Sequence, residues 1–143
     1  MLFRSQAQYF NSFLPRAVEC KDPVERFKLV VACFVSSQIL TSANFMKPLN
    51  PILGETLQVD FSDGSKAYLE QTCHHPPITS FQLDHPQGLY EFFGFIEFGA
   101  GFGYNKFFPK SKGQISLRFK DGASFDVGLT ENKVLACLFS CAL

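Results

Sequence analysis

Apolar and polar residues follow two different periods along this chain, and the change falls near Pro51. Upstream the spacing is helical. Val24, Phe27, Val31, Phe34 and Val35 recur at helical intervals with Val30 beside them, while Arg26, Lys28 and Gln38 fall off that stripe. Asp22-Pro23-Val24-Glu25 supplies a start: Asp22 as cap, Pro23 in the first helical position and Glu25 closing a capping box. The helix is expected to run to about Ile39 or Thr41. A weaker helix is expected over 6–14, with Tyr9, Phe10, Phe13 and Leu14 as its apolar side.

Downstream the period is two. Leu57, Val59 and Phe61 alternate with Thr56, Gln58 and Asp60, the pattern of a half-buried strand. Asp63-Gly64 is a turn into a returning strand over Lys66–Gln71. Ile78–Leu83, Leu89–Phe98, Gln114–Phe119, Ala123–Val127 and Val134–Phe139 read as further strands, with turns at 84–88 and at Asp121-Gly122. Within Leu89–Phe98, Tyr90, Phe92 and Phe98 share one face with Gly94 and Ile96, and Phe93 and Phe95 lie on the other beside Glu91 and Glu97. Burial on both sides suits a core strand under a helix, or a barrel wall against an apolar ligand. The fold class is therefore mainly β with N-terminal helices: a helical part over 6–41 and an antiparallel meander of about six strands over 55–139.

Composition narrows the function. The 143 residues suit one domain. Thirteen Lys+Arg balance thirteen Asp+Glu, so no basic field favours nucleic acid, and an anion must be held by a few placed donors. Cys20, Cys33, Cys73, Cys137 and Cys141 form no CxxC pair, which fits reduced thiols in the cytoplasm. Gln6 and Gln8 interrupt any signal-peptide core, and no run approaches the ~18 apolar residues of a membrane span.

Two segments carry chemistry. Glu70-Gln71-Thr72-Cys73-His74-His75-Pro76-Pro77 presents paired imidazoles on a backbone stiffened by two prolines. Lys47-Pro48-Leu49-Asn50-Pro51-Ile52-Leu53-Gly54-Glu55 offers a charged and a neutral donor from a rigid loop. One ammonium, one amide and two imidazoles make a donor-rich set that suits a phosphate. Gly99-Ala100-Gly101-Phe102-Gly103 is not a nucleotide loop, because no helix pattern and no Lys-Ser or Lys-Thr follows; a flexible bend is expected. A cysteine hydrolase built on Cys73 lacks a nucleophile turn, and His74 falls on the opposite strand face. A zinc site from Cys73, His74 and His85 has diverging neighbours and no further ligand pair. Neither enzyme chemistry nor a metal or cofactor is expected.

The two segments, in this order, resemble the oxysterol-binding protein-related family of lipid-transfer proteins. The family has Val-Ser where this chain has Thr72-Cys73, and both changes keep a β-branched or small residue. Asp22–Phe27 resembles the family's helix start, and Tyr90–Gly103 its following strands, with phenylalanines where tryptophans are common. The resemblance spans Tyr9 to Phe139. It implies a large, incomplete antiparallel β-barrel around an apolar tunnel that holds a sterol or a phospholipid, exchanged in many members for phosphatidylinositol 4-phosphate. It also implies that Lys47, Asn50, His74 and His75 contact the inositol phosphate head group, with Glu55 and Glu70 orienting their loops. The partners implied are those lipids and a transient membrane surface, with no nucleic acid, and the location is cytoplasmic and peripheral to membranes. The family's domain is much longer than this chain, so residues 1–143 are expected to be its N-terminal portion, truncated at both ends. The alternative is a truncated remnant that transfers nothing and serves protein interaction or no activity.

Overall fold

The stronger helical period forms a helix from Pro23, and the weaker one is described from residue 12 onward. The computed structural model describes residues 12–43, 50–103 and 106–129, and the chain divides into two units, Met1–Leu49 and Asn50–Leu143. In the first unit, α1 covers 12–19 and α2 covers Pro23–Ala43. The weaker helix thus continues past 14, burying Leu14 and Ala17; Tyr9 and Phe10 lie outside the described residues. Asp22 caps α2, its Oδ1 accepting the Val24 amide at 2.9 Å. Glu25 pairs with Lys28 at 2.6 Å instead of closing the capping box. The Arg26 guanidinium donates twice to the Cys20 carbonyl, at 3.1 and 2.8 Å, and fixes the corner between the helices.

The apolar stripe picked out on α2 is its uncovered face. Val24, Phe27, Val31 and Val35 are between 41% and 58% exposed, whereas Val30 and Cys33 are buried. Apolar residues fall on more than one side of the helix, Val30 and Cys33 as well as the stripe from Val24 to Val35, so periodicity finds a stripe without saying which side is covered.

The second unit is one antiparallel sheet in the order β1-β2-β3-β4-β5-β6, a pure meander. Its strands are β1 Thr56–Asp60, β2 Lys66–His74, β3 Pro77–Asp84, β4 Tyr90–Gly103, β5 Lys106–Phe119 and β6 Ser124–Leu129. The expected strand over Val134–Phe139 lies outside the described residues. Asp63 shapes the β1–β2 turn by accepting the Ser65 amide and hydroxyl, both at 3.0 Å, with Gly64 at φ 85°.

Register divides the sheet into two chemical faces. One row joins Leu57, Leu69, Phe81, Gly94, Ile115 and Val127; the next joins Val59, Ala67, Leu83, Phe92, Leu117 and Phe125. Most of these side chains are buried, and the Phe81 and Phe92 rings lie 5.2 Å apart. The opposite face carries Gln58, Tyr68, Gln82, Phe93, Ser116 and Asp126 in one row. There Ser116 donates to Asp126 at 2.6 Å, and Arg118 sits 4.8 Å over the Phe93 ring.

Two strands outrun their expected ends. Gly99–Gly103 is not a bend but the continuation of β4, paired with Lys106–Lys110. This stretch extends past Glu97, the last β4 residue paired with β3, and past Gly113, the first β5 residue paired with β6. Pro109, which lacks an amide donor, falls in this stretch, where among the described residues β5 pairs with β4 alone.

Closer in, β4 and β5 approach through glycine. A Cβ added at Gly94 would overlap the Gln114 carbonyl oxygen and come within 2.9 Å of Ile115 Cα, while one at Gly128 would meet nothing. Gly94→Ala is expected to lower unfolding stability by about 1–3 kcal/mol, with Gly128→Ala changing it by a few tenths, in urea denaturation.

Burial pushes the Cys33 thiol up to about 12, against 9.0 for an ordinary thiol. At pH 8, iodoacetamide is expected to label Cys20 and Cys73, which are partly exposed, and to spare Cys33 until the protein is unfolded. Because the unfolded thiol ionises first, stability is expected to fall as pH rises from about 9 toward 12. Labelling of native Cys33 as fast as Cys73, read by mass spectrometry, contradicts this packing.

Candidate functional site

The double histidine sits where β2 ends. β2 pairs with β3 residue for residue up to Gln71 opposite Thr79, then slips, so that Cys73 stands opposite Ile78 and His74 opposite Pro77. Thr72 is the extra residue of a β-bulge. The slip reverses the alternation. Cys73 joins the polar face, in register with Ile78 and Glu97, and His74 joins the row parity of the apolar face. His75 and Pro76 then turn the chain into β3. Both imidazoles are exposed, their ring centroids 4.6 Å apart in an edge arrangement.

The loop carrying Asn50 is tied to the same end of the sheet. Glu55 lies opposite Gln71: the Gln71 amide donates to the Glu55 carbonyl at 3.0 Å, and the Gly54 amide donates to the Gln71 carbonyl at 2.9 Å. Gly54 holds φ at 78°, a conformation that favours glycine. The Glu55 carboxylate accepts the Ile52 amide at 3.0 Å, which fits the orienting role expected of it. Asn50 is exposed at the start of this loop. His74 and His75 thus stand at the end of β2 where the Gly54–Glu55 end of this loop is hydrogen-bonded to Gln71, while Lys47 lies outside the described residues.

Gln71 is the residue that sequence reasoning passed over. It is 2% exposed, yet polar at both ends. Its Oε1 accepts the Thr79 hydroxyl at 2.7 Å and its Nε2 donates to the Cys73 carbonyl at 2.9 Å, spanning the bulge. The signal was present: position 71 follows Ala67 and Leu69 on the inward phase of the strand, where a polar side chain is costly unless both ends are satisfied.

The competing chemistries are not assembled. Cys73 and His74 occupy opposite faces, which separates a thiol nucleophile from its base. His85 follows β3 at the far end of the sheet, roughly 26 Å along the strand at 3.3 Å per residue, with its ring 5.0 Å from Tyr90 and its Nδ1 accepting the Gln87 amide at 3.2 Å. A groove of 490 Å³ crosses β1, β2 and β3, but Gln58, Tyr68, Glu70 and Gln82 place it on the polar face, away from the apolar side expected to meet lipid.

Comparison with known proteins agrees on one lineage. The sequence profile described as oxysterol-binding protein matches residues 3–139. Oxysterol-binding protein 9 of Dictyostelium discoideum is 41% identical over 112 residues, covering 78% of this chain and 26% of the relative. Human oxysterol-binding protein-related protein 1 is 39% identical over 108 residues, 71% of this chain and 11% of the relative. Among solved structures, the Osh1 ORD domain in complex with ergosterol matches 96% of this chain and 34% of its own, at 26% identity and a TM-score of 0.82. The Osh3 ORD of Saccharomyces cerevisiae, in complex with PI(4)P, shares the fold at a TM-score of 0.81 and 21% identity, over 97% of this chain and 37% of its own. The chain thus spans about a quarter or less of these curated relatives and about a third of the solved domains.

Proposed function

Because the chain belongs to the oxysterol-binding protein family, we propose that it binds membrane lipids, a sterol and phosphatidylinositol 4-phosphate, and serves their transfer between membranes. In this reading Lys47, Asn50, His74 and His75 hold the phosphorylated inositol by charge-assisted hydrogen bonds, and the apolar face of the sheet meets the lipid body. Removing that body from water drives binding at about 25 cal/mol per Å² of apolar surface, with no bond made or broken. The chain would supply the N-terminal helices and the first strands of the larger lipid-binding domain.

The observation that carries the reading is the reversal of faces at the bulge, which sets His74 on the apolar side at the end of the sheet shared with the Asn50 loop. Solved relatives add the ligand class: the Osh1 ORD domain with cholesterol and with ergosterol, and the Osh3 ORD with PI(4)P. Among the described residues, no helix is long and apolar enough to cross a membrane, and a peripheral, cytoplasmic location goes with this proposal.

A second reading, a protein-interaction module without transfer, draws on the uncovered ridge of Val24, Phe27, Val31 and Val35. Liposome extraction separates the two. With vesicles containing phosphatidylinositol 4-phosphate, the wild-type chain is expected to remove lipid, and the double variant His74→Ala, His75→Ala to lose at least tenfold of that activity with an unchanged circular dichroism spectrum and melting point. Unchanged extraction by the folded double variant rejects the head-group assignment. Absence of extraction by the wild type favours the interaction module.

A further inference from the structure

We infer that Gln71 is a positioning residue: its buried side-chain amide fixes the bulge that turns His74 toward the apolar face and couples that turn to the loop bearing Asn50. The inference deepens the head-group reading and rests on it for the ligand, but its geometry stands on the described residues alone.

A β-bulge leaves its extra residue out of the ladder, so the backbone there needs another partner to hold one conformation. The Gln71 side chain supplies it. Nε2 reaches two residues forward to the Cys73 carbonyl at 2.9 Å, across Thr72, and Oε1 is held in turn by the Thr79 hydroxyl from β3 at 2.7 Å. On the other side of the sheet, Thr72 Oγ1 meets Ser80 Oγ at 3.0 Å, so the extra residue is clamped from both faces. The main chain of Gln71 meanwhile exchanges two hydrogen bonds with Gly54 and Glu55, at 2.9 and 3.0 Å. One residue thereby anchors both halves of the candidate site.

Each feature has a consequence for the imidazoles. Were β2 to continue without the slip, His74 would share a face with Glu70 and Thr72, the polar one, and its imidazole would be presented to the opposite side. A buried glutamine also tolerates little change: an apolar replacement takes from the half-buried Thr79 hydroxyl and Cys73 carbonyl the side-chain partner that spans the bulge, and the bulge is then free to relax. Gln71 touches no ligand in this scheme. It acts through the backbone that aims His74.

The test uses the full chain labelled with ¹⁵N-histidine, in which three histidines give three sets of imidazole signals. His85, at the far end of the sheet, is the internal control. Gln71→Leu is expected to shift the His74 and His75 signals, leave His85 in place, and weaken binding of inositol 1,4-bisphosphate at least tenfold. Thr79→Val, a milder change that frees only Oε1, is expected to move the same two signals by less, and Thr79→Ser to restore them. This variant keeps the test decisive if Gln71→Leu does not fold. Unmoved His74 and His75 signals in folded Gln71→Leu, or in Thr79→Val, overturn the inference, as does movement of all three histidines together. If the wild type binds no inositol 1,4-bisphosphate while the two signals still respond to Gln71→Leu, the positioning role stands and the head-group reading fails.

Discussion

A strand that alternates strictly can offer a given side chain to one face only. β2 breaks that rule once, between Gln71 and Cys73, and the rest of the site depends on the break. Below it, Ala67 and Leu69 enter the apolar side and Tyr68 and Glu70 the polar side. Above it the order is inverted, and His74 arrives on the apolar side at the margin of the sheet. The energetic requirement follows from burial, because a buried polar side chain is costly unless each of its polar ends finds a partner. Gln71 meets it with its two main-chain and two side-chain hydrogen bonds, directed to β1's approach loop, to its own strand and to β3.

The sheet supplies what the site needs around it. Its meander order keeps each strand beside its sequence neighbour, and its faces differ in chemistry from row to row in step. Buried Phe81, Leu83, Phe92 and Leu117 make the apolar face continuous across the central strands. At roughly 1.5–3 kcal/mol for each large side chain, this burial dominates the surface ion pairs such as Lys28–Glu25. In the proposed reading, a lipid head group at the margin of such a face would meet donors at one end and hydrocarbon beyond, as an amphipathic ligand requires.

Much of this was readable in the residues. Alternation at Leu57–Val59 and Ile115–Leu117 located strands, Asp63-Gly64 and Asp121-Gly122 located turns, and Asp22-Pro23 located the start of α2. Three features were not readable, each for a physical reason. The covered side of α2 depends on what lies against it, and a helix with apolar residues on more than one side does not encode that. The glycines at 99, 101 and 103 look like a bend because glycine carries no strand preference of its own, and only their pairing with Lys110, Phe108 and Lys106 makes them a strand. The bulge is a property of pairing, so Gln71 gave only the hint of a polar residue on an inward phase. For the candidate site, Asn50, His74 and His75 were named from the sequence, and what aims them was not.

The most direct test of the account is a crystal structure of the chain with inositol 1,4-bisphosphate. The account predicts phosphate oxygens about 3 Å from both imidazoles and from the Asn50 side-chain amide, with the Gln71-to-Cys73 hydrogen bond intact beneath them. Head-group density elsewhere, or His74 turned to the polar face beside Ser80, contradicts it.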